Sequence, residues 1–269
     1  LKMLKKTLKE SNGAIQLIIN NYFNPKNKIL EVEDVVILAF FEDLTEKVES
    51  LRLLVEESKS ASLDTILRSI FESYVYLKLL LKNDYMLYGR SYFAAKKINN
   101  LQMFHKTISQ GKQGEAIREL LGDPTIEDLK RKANIEDAED IDTEIIKVKE
   151  DFSDVFKHRN EKQVWYNLDG KTANFEQLCN KKGIDMSAEY DLIYRSLSKE
   201  VHAKDVLNRW RFEKEQFSIL EQPTDPRMHI SMSNTFLLNT IDRLYPFYGL
   251  KSKLRKFRTF LGINYKLSK

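Results

Sequence analysis

Leu63-Asp-Thr-Ile-Leu-Arg-Ser-Ile-Phe-Glu-Ser-Tyr-Val-Tyr-Leu-Lys-Leu-Leu-Leu-Lys82 is the most apolar stretch of the chain. At about 100° per residue, Leu63, Leu67, Ile70, Tyr74, Leu77 and Leu81 share one stripe, and Phe71 and Leu80 widen it. A strand would instead alternate its side chains with a period of two. The stretch contains no Gly or Pro, so it reads as one buried helix. Ser62 stands where an N-cap residue belongs. Arg68 and Glu72 flank the stripe at i, i+4. They are placed either for a local ion pair or, in the case of Glu72, to orient a group from another helix.

The segments on either side repeat this pattern. Upstream, residues 31–57 carry Val35, Leu38, Phe41, Leu44, Val48, Leu51 and Val55 at spacings of three or four. Residues 4–22 do the same more weakly across Asn12-Gly13, and Asn24-Pro25-Lys26-Asn27 separates the two. Downstream, residues 84–109 form an aromatic-rich amphipathic helix that ends near Gly111 and Gly114, and Leu121-Gly122-Asp123-Pro124 is a stop signal. Residues 134–154 hold nine acids against two lysines, the pattern of a solvated acidic excursion. His158 to Gly170 reads as a loop anchored by Trp165-Tyr166. A short helix follows around Phe175 and Leu178, and Lys182-Gly183 ends it. Helices are expected over 206–217, which contains Trp210 and Phe212, and over 230–245. No useful strand alternation is visible. The reading is all-α: an antiparallel helical bundle forming a single domain over 1–249, with an acidic helical insertion at about 111–160 and a basic C-terminal tail over 250–269.

Composition agrees. Hydrophobic residues make up 42% and charged residues 31%, with 9 Gly and 5 Pro, which favours long helices. The longest apolar run, Val35 to Phe41, is far short of the ~20 residues needed to span a bilayer. A single cysteine, Cys179, excludes an internal disulfide framework and suits a reducing cytoplasm, the expected location. The net charge of +4 is unevenly spread, because from Arg243 onward there are eight basic residues and no acid. Such a tail favours a polyanion or an acidic partner, and Lys251, Lys253, Arg255, Lys256 and Arg258 are its candidate nucleic-acid-binding residues.

The candidate chemistry lies in Tyr190-Asp-Leu-Ile-Tyr-Arg-Ser-Leu-Ser-Lys-Glu-Val-His202. On an α-helix, Tyr190, Tyr194, Leu197 and Val201 form an apolar stripe with Ile193 on its shoulder. Asp191, Arg195, Ser198 and His202 form a polar stripe about a quarter-turn away. Boundary positions of this kind serve either as an ordinary polar flank or as a site.

Three features together resemble the bacterial family of unknown function numbered 5677. They are Arg68 to Lys78 with its Arg68 and Glu72, the Trp165-Tyr166 loop with the small helix at Phe175 to Cys179, and Tyr194 to His202. The resemblance spans roughly 30–245, implies a helical fold, and maps the family's positions onto Arg68, Glu72, Ser198 and His202. The Arg195-to-His202 spacing also resembles the signature of HEPN-type helical ribonucleases, although the residue after the arginine is Ser196 rather than Asn, Asp or His. That second resemblance implies metal-independent RNA cleavage in phage defence or toxin–antitoxin biology, with a homodimer and an antitoxin-like protein partner.

RNA supplies its own nucleophile, the 2′-hydroxyl, so such an enzyme need only move protons and stabilise charge. An imidazole, ordinarily titrating near ~6.5, suits His202 for acid–base work. Arg195 suits the phosphate charge, Ser198 could fix the His202 tautomer, and Asp191 could pair with Arg195. The alternative is a non-catalytic sensor or adaptor that binds a protein partner. His105, His158 and His229 lack metal-ligand spacing. No P-loop, dinucleotide fingerprint or nucleophile elbow is present, so neither a metal nor a cofactor is expected.

Overall fold

In the computed structural model, residues 1–59, 62–82, 84–133, 141–197, 210–213, 216–219 and 225–266 are described. The fold is all-α. The chain divides into two compact units, Leu1–Tyr85 with Glu176–Lys269, and Met86–Phe175.

The first unit is built around the stretch quoted above. It forms α3, Leu63–Leu80, beside α2, Val32–Glu56, and α1, Lys2–Ile18. A later helix, α11, Arg227–Phe247, completes the packing: α3 lies against α2 and α11, and α1 against both of these. Leu67, Ile70, Phe71, Leu80, Phe41, Leu44, Leu237 and Ile241 are fully buried, each such side chain contributing about 1.5–3 kcal/mol. Phe236 stacks on Tyr74 with ring centroids 4.7 Å apart. Ser62 occupies the N-cap position of α3 but makes no side-chain capping bond.

α1 runs unbroken through Asn12-Gly13, because its buried face of Leu4, Leu8, Ser11, Ala14 and Ile18 outweighs a glycine penalty of about 1 kcal/mol. It continues into a π-helical turn, Ile19–Phe23, and a 3₁₀ turn, Asn24–Lys26, and Asn27 then leaves in the left-handed region at φ 47°. Part-buried polar pairs tie the helices together. His229 Nε2–H donates to Asp64 Oδ1 at 2.5 Å, joining the first turns of α11 and α3. The Tyr245 and Tyr248 hydroxyls donate to Glu10 at 2.6 Å and to Asp34 at 2.9 Å. Burial pushes the Asp34 carboxyl above its ordinary range.

The second unit comprises α4 (Tyr85–Ile108, apart from its first residue), α5 (Lys112–Leu120), α6 (Ile126–Ala133), α7 (Ile141–Asp151) and α8 (Ser153–Phe156). Its core is Ala94, Ile98, Val148, Phe152 and Val155. The acidic segment is therefore only partly a solvated excursion, since α7 buries Ile141 and Val148. Residues 134–140 lie outside the described set. The loop after α8 is organised by Arg159, which is 4% exposed. Its guanidinium donates to the Ser91 Oγ and carbonyl and to the carbonyls of Asn160 and Gln163.

One sequence expectation changes. Where a helix was expected over 206–217, the described residues form an antiparallel hairpin of β1, Trp210–Glu213, and β2, Gln216–Ile219, with Trp210 opposite Ile219. Trp210, Phe212 and Phe217 are strand formers, and the short 210–219 pattern is too brief for helical periodicity to outvote them. The basic segment after Gly249 is a helix, α12, Lys251–Lys266, packed on α1 and α11 through buried Leu254 and Phe257. Among the described residues, no helix is long and apolar enough to cross a membrane.

Candidate functional site

The candidate helix is delivered by a tight turn after α9, Phe175–Asn180. Gly183 (φ +82°) and Asp185 (φ +48°) are left-handed, and the Asp185 carboxylate reaches back to accept the Gly183 N–H at 2.9 Å. α3 clamps this turn from one side. The Lys78 ammonium donates to the Ile184 carbonyl, and Lys82 donates to that of Lys182 at 3.4 Å. Burial, and then the nearby Arg243, lowers the Lys78 pKa. Ile184 and Met186 bury behind the turn. Asp185 therefore closes the turn, and Met186 holds the N-cap position of α10, Ser187–Glu189, with no side-chain capping bond.

From Tyr190 to Arg195 the chain is π-helical rather than α-helical. A π turn takes in more residues than an α turn, so the 100° rule over-rotates each successive side chain. The consequence is visible. Ile193, expected on the shoulder, is fully buried, while Tyr190, Tyr194 and Leu197 are only half-buried. Tyr190 and Tyr194 stack with centroids 5.3 Å apart and planes at 21°.

α3 packs directly against this segment, and the contact is made by a predicted residue. The Arg68 guanidinium lies over the Tyr194 ring, 4.1 Å from its centroid. Its helical neighbour Glu72 makes no ion pair with it among the described residues; Glu72 Oε1 accepts the Tyr76 hydroxyl at 2.9 Å. Asp191 and Arg195 form the i, i+4 pair at 3.1 Å, with side chains 62% and 67% exposed. Such a pair contributes only a few tenths of a kcal/mol and leaves the guanidinium accessible to an anion. Ser196 hydrogen-bonds back to the Leu192 carbonyl. Ser198 and His202 lie outside the described residues.

The structure thus brings Arg68 to the Tyr194–Arg195 turn and pairs Asp191 with Arg195. The five basic candidates of the C-terminal segment, Lys251, Lys253, Arg255, Lys256 and Arg258, are all exposed on α12, and Arg258 is engaged by Asp242 at 2.9 Å. Cys179 is buried and free, and burial, then Glu189, Glu72 and Glu176, push its thiol up to about 12, far from a reactive thiolate. Sequence reading missed two features. The π turn leaves no composition signal. The Asp64–His229 pair joins residues 165 positions apart that only tertiary packing aligns.

A model of a family of unknown function, DUF5677, matches residues 34–217. The chain belongs to the DUF5677 family. The DUF5677 match takes in α2 from Asp34 onward, α3, the second unit, the Tyr190–Arg195 turn and the hairpin as far as Phe217, and it leaves α1, α11 and α12 outside. Arg68 and Tyr194, which meet in the structure, both belong to the DUF5677 segment. No match is found among curated proteins or among solved structures.

Proposed function

We propose that this chain is a HEPN-like, metal-independent endoribonuclease of bacterial phage defence or toxin–antitoxin biology, working as a homodimer. His202 moves the proton between the 2′-hydroxyl, which attacks phosphorus, and the departing 5′-oxygen. Arg195 stabilises the charge gathering on the phosphate. Arg68 is a positioning residue, holding the Tyr194 side of the helix so that the Arg195 head stays at the surface. The observation that supports this reading is the Arg68–Tyr194 stack at 4.1 Å, which sets a second cation beside the turn that carries Arg195.

Expression in a bacterial host tests it. The wild-type chain should arrest growth, and His202→Ala should relieve the arrest at equal soluble yield. Growth arrest that persists undiminished in His202→Ala would count against the assignment.

One observation favours the second reading, a non-catalytic sensor or adaptor that binds a protein partner. The Asp191–Arg195 pair has the exposure of an ordinary surface ion pair. Under that reading, the wild-type chain leaves growth and RNA untouched.

A further inference from the structure

α12 is amphipathic, but its apolar side is already used. Leu250, Leu254 and Phe257 are 5–7% exposed, buried within the chain's own fold. What α12 offers to solvent is a row in which Lys253, Lys256 and Phe260 recur at spacings of three and four, one helical stripe. Phe260 is 49% exposed, an aromatic ring left at the surface of a packed helix. It also marks where α1 adjoins, because the Lys6 ammonium sits over its ring at 5.2 Å. On α1, Lys2, Lys6 and Lys9 share one stripe about 10 Å long. Two helices therefore present five lysines and an exposed ring on a continuous face.

The nearby acids do not neutralise this face. Glu10, the only acid of α1, accepts the Tyr245 hydroxyl. Asp242 is held by Arg258, and Glu56 by Lys5 and Arg52. α12 contains no acid. A comb of lysines on rigid helices with an aromatic ring among them matches what single-stranded nucleic acid requires, which is phosphate neutralisation plus a stacking surface. Adsorption to a lipid surface would call for a broad free apolar face, and α12, with Leu254 and Phe257 in the core, leaves only Phe260 and Ile263 exposed beside its lysines among the described side chains.

We propose that the shared face of α1 and α12 binds single-stranded RNA. Both helices lie outside the 34–217 family match. The choice of RNA among polyanions rests on the ribonuclease reading. The test therefore measures binding rather than cleavage, and uses the full chain carrying His202→Ala so that loss of binding is separable from loss of catalysis.

Fluorescence anisotropy with a labelled 12-nucleotide single-stranded RNA is the measurement, at 50 and 200 mM KCl, with phosphatidylglycerol vesicles as the competing arm. Five phosphate contacts predict an affinity loss of about 100-fold over that salt range. Lys253→Glu with Lys256→Glu should weaken binding at least about 10-fold and flatten the salt slope by about 1.4. Phe260→Leu, which keeps the bulk and removes the ring, should weaken binding about 5-fold or more with the salt slope unchanged. RNA affinity unaltered in the double lysine variant, with circular dichroism as the control for folding, would overturn the proposal. So would binding to the vesicles in place of RNA.

Discussion

The Arg68–Tyr194 contact can be isolated by a double-mutant cycle. A guanidinium over an aromatic face contributes about 0.5–1 kcal/mol when exposed and about 2 kcal/mol when desolvated. Both residues are half-buried, and the guanidinium sits close, at 4.1 Å from the ring centroid. A coupling of about 1 kcal/mol is therefore expected, a factor of about five in the folding equilibrium. Arg68→Met keeps the stem and removes the cation, Tyr194→Leu keeps the bulk and removes the ring, and the double variant completes the cycle. Urea unfolding followed by far-ultraviolet circular dichroism gives the four stabilities. If Arg68 holds the candidate helix through this stack, each single variant loses stability and the double variant loses less than the sum by about 1 kcal/mol. A coupling below about 0.3 kcal/mol would show that the two side chains are neighbours without being energetically linked, and Arg68 would lose its positioning role.

Three other outcomes follow from buried and part-buried polar groups. His229→Leu leaves the Asp64 carboxylate without its donor; because that side chain keeps 21% exposure, the loss should be about 2 kcal/mol rather than the full cost of a deeply buried charge, and an unchanged urea midpoint would contradict it. Asp34 has its folded pKa raised by burial, so its contribution is fully present below its ordinary value of 3.8 and is lost as pH rises through the folded value. Asp34→Asn, which still offers an oxygen to the Tyr248 hydroxyl, should therefore gain on wild type between pH 4 and pH 7 in urea midpoints, and a shift the other way would refute the assignment. Arg159→Met strips the donor from four acceptors in the second unit and should cost about 2–3 kcal/mol, read as faster amide exchange over residues 156–172; exchange at the wild-type rate there would refute the role given to Arg159.

The helical class was legible because the period of apolar residues over 31–57 and 63–82 is sustained for several turns, and burial alone then selects a helix. The same averaging fails for short segments. Residues 210–219 offer four-residue strands with no room for a period to declare itself, so strand propensity and pairing decided the outcome. At the candidate site, the residue identities were readable and the geometry was not. An α-helical wheel put Ile193 on the shoulder, and the π turn put it in the core. That Arg68 would meet Tyr194 depends on how α3 crosses a segment more than 100 residues downstream, which no local pattern encodes. The split at Met86 and Phe175 was equally hidden, because its first boundary falls at the start of α4, a link between helices that looks in sequence like the others.

The central claim is settled most directly by incubating purified chain with single-stranded RNA in EDTA and comparing wild type with His202→Ala and Arg195→Ala at matched melting temperature. General acid–base catalysis contributes about 10²–10⁴-fold, so wild type should cleave and His202→Ala should be slower by at least about 100-fold. RNA left intact by the folded wild-type chain, or cut equally fast by His202→Ala, would contradict the account.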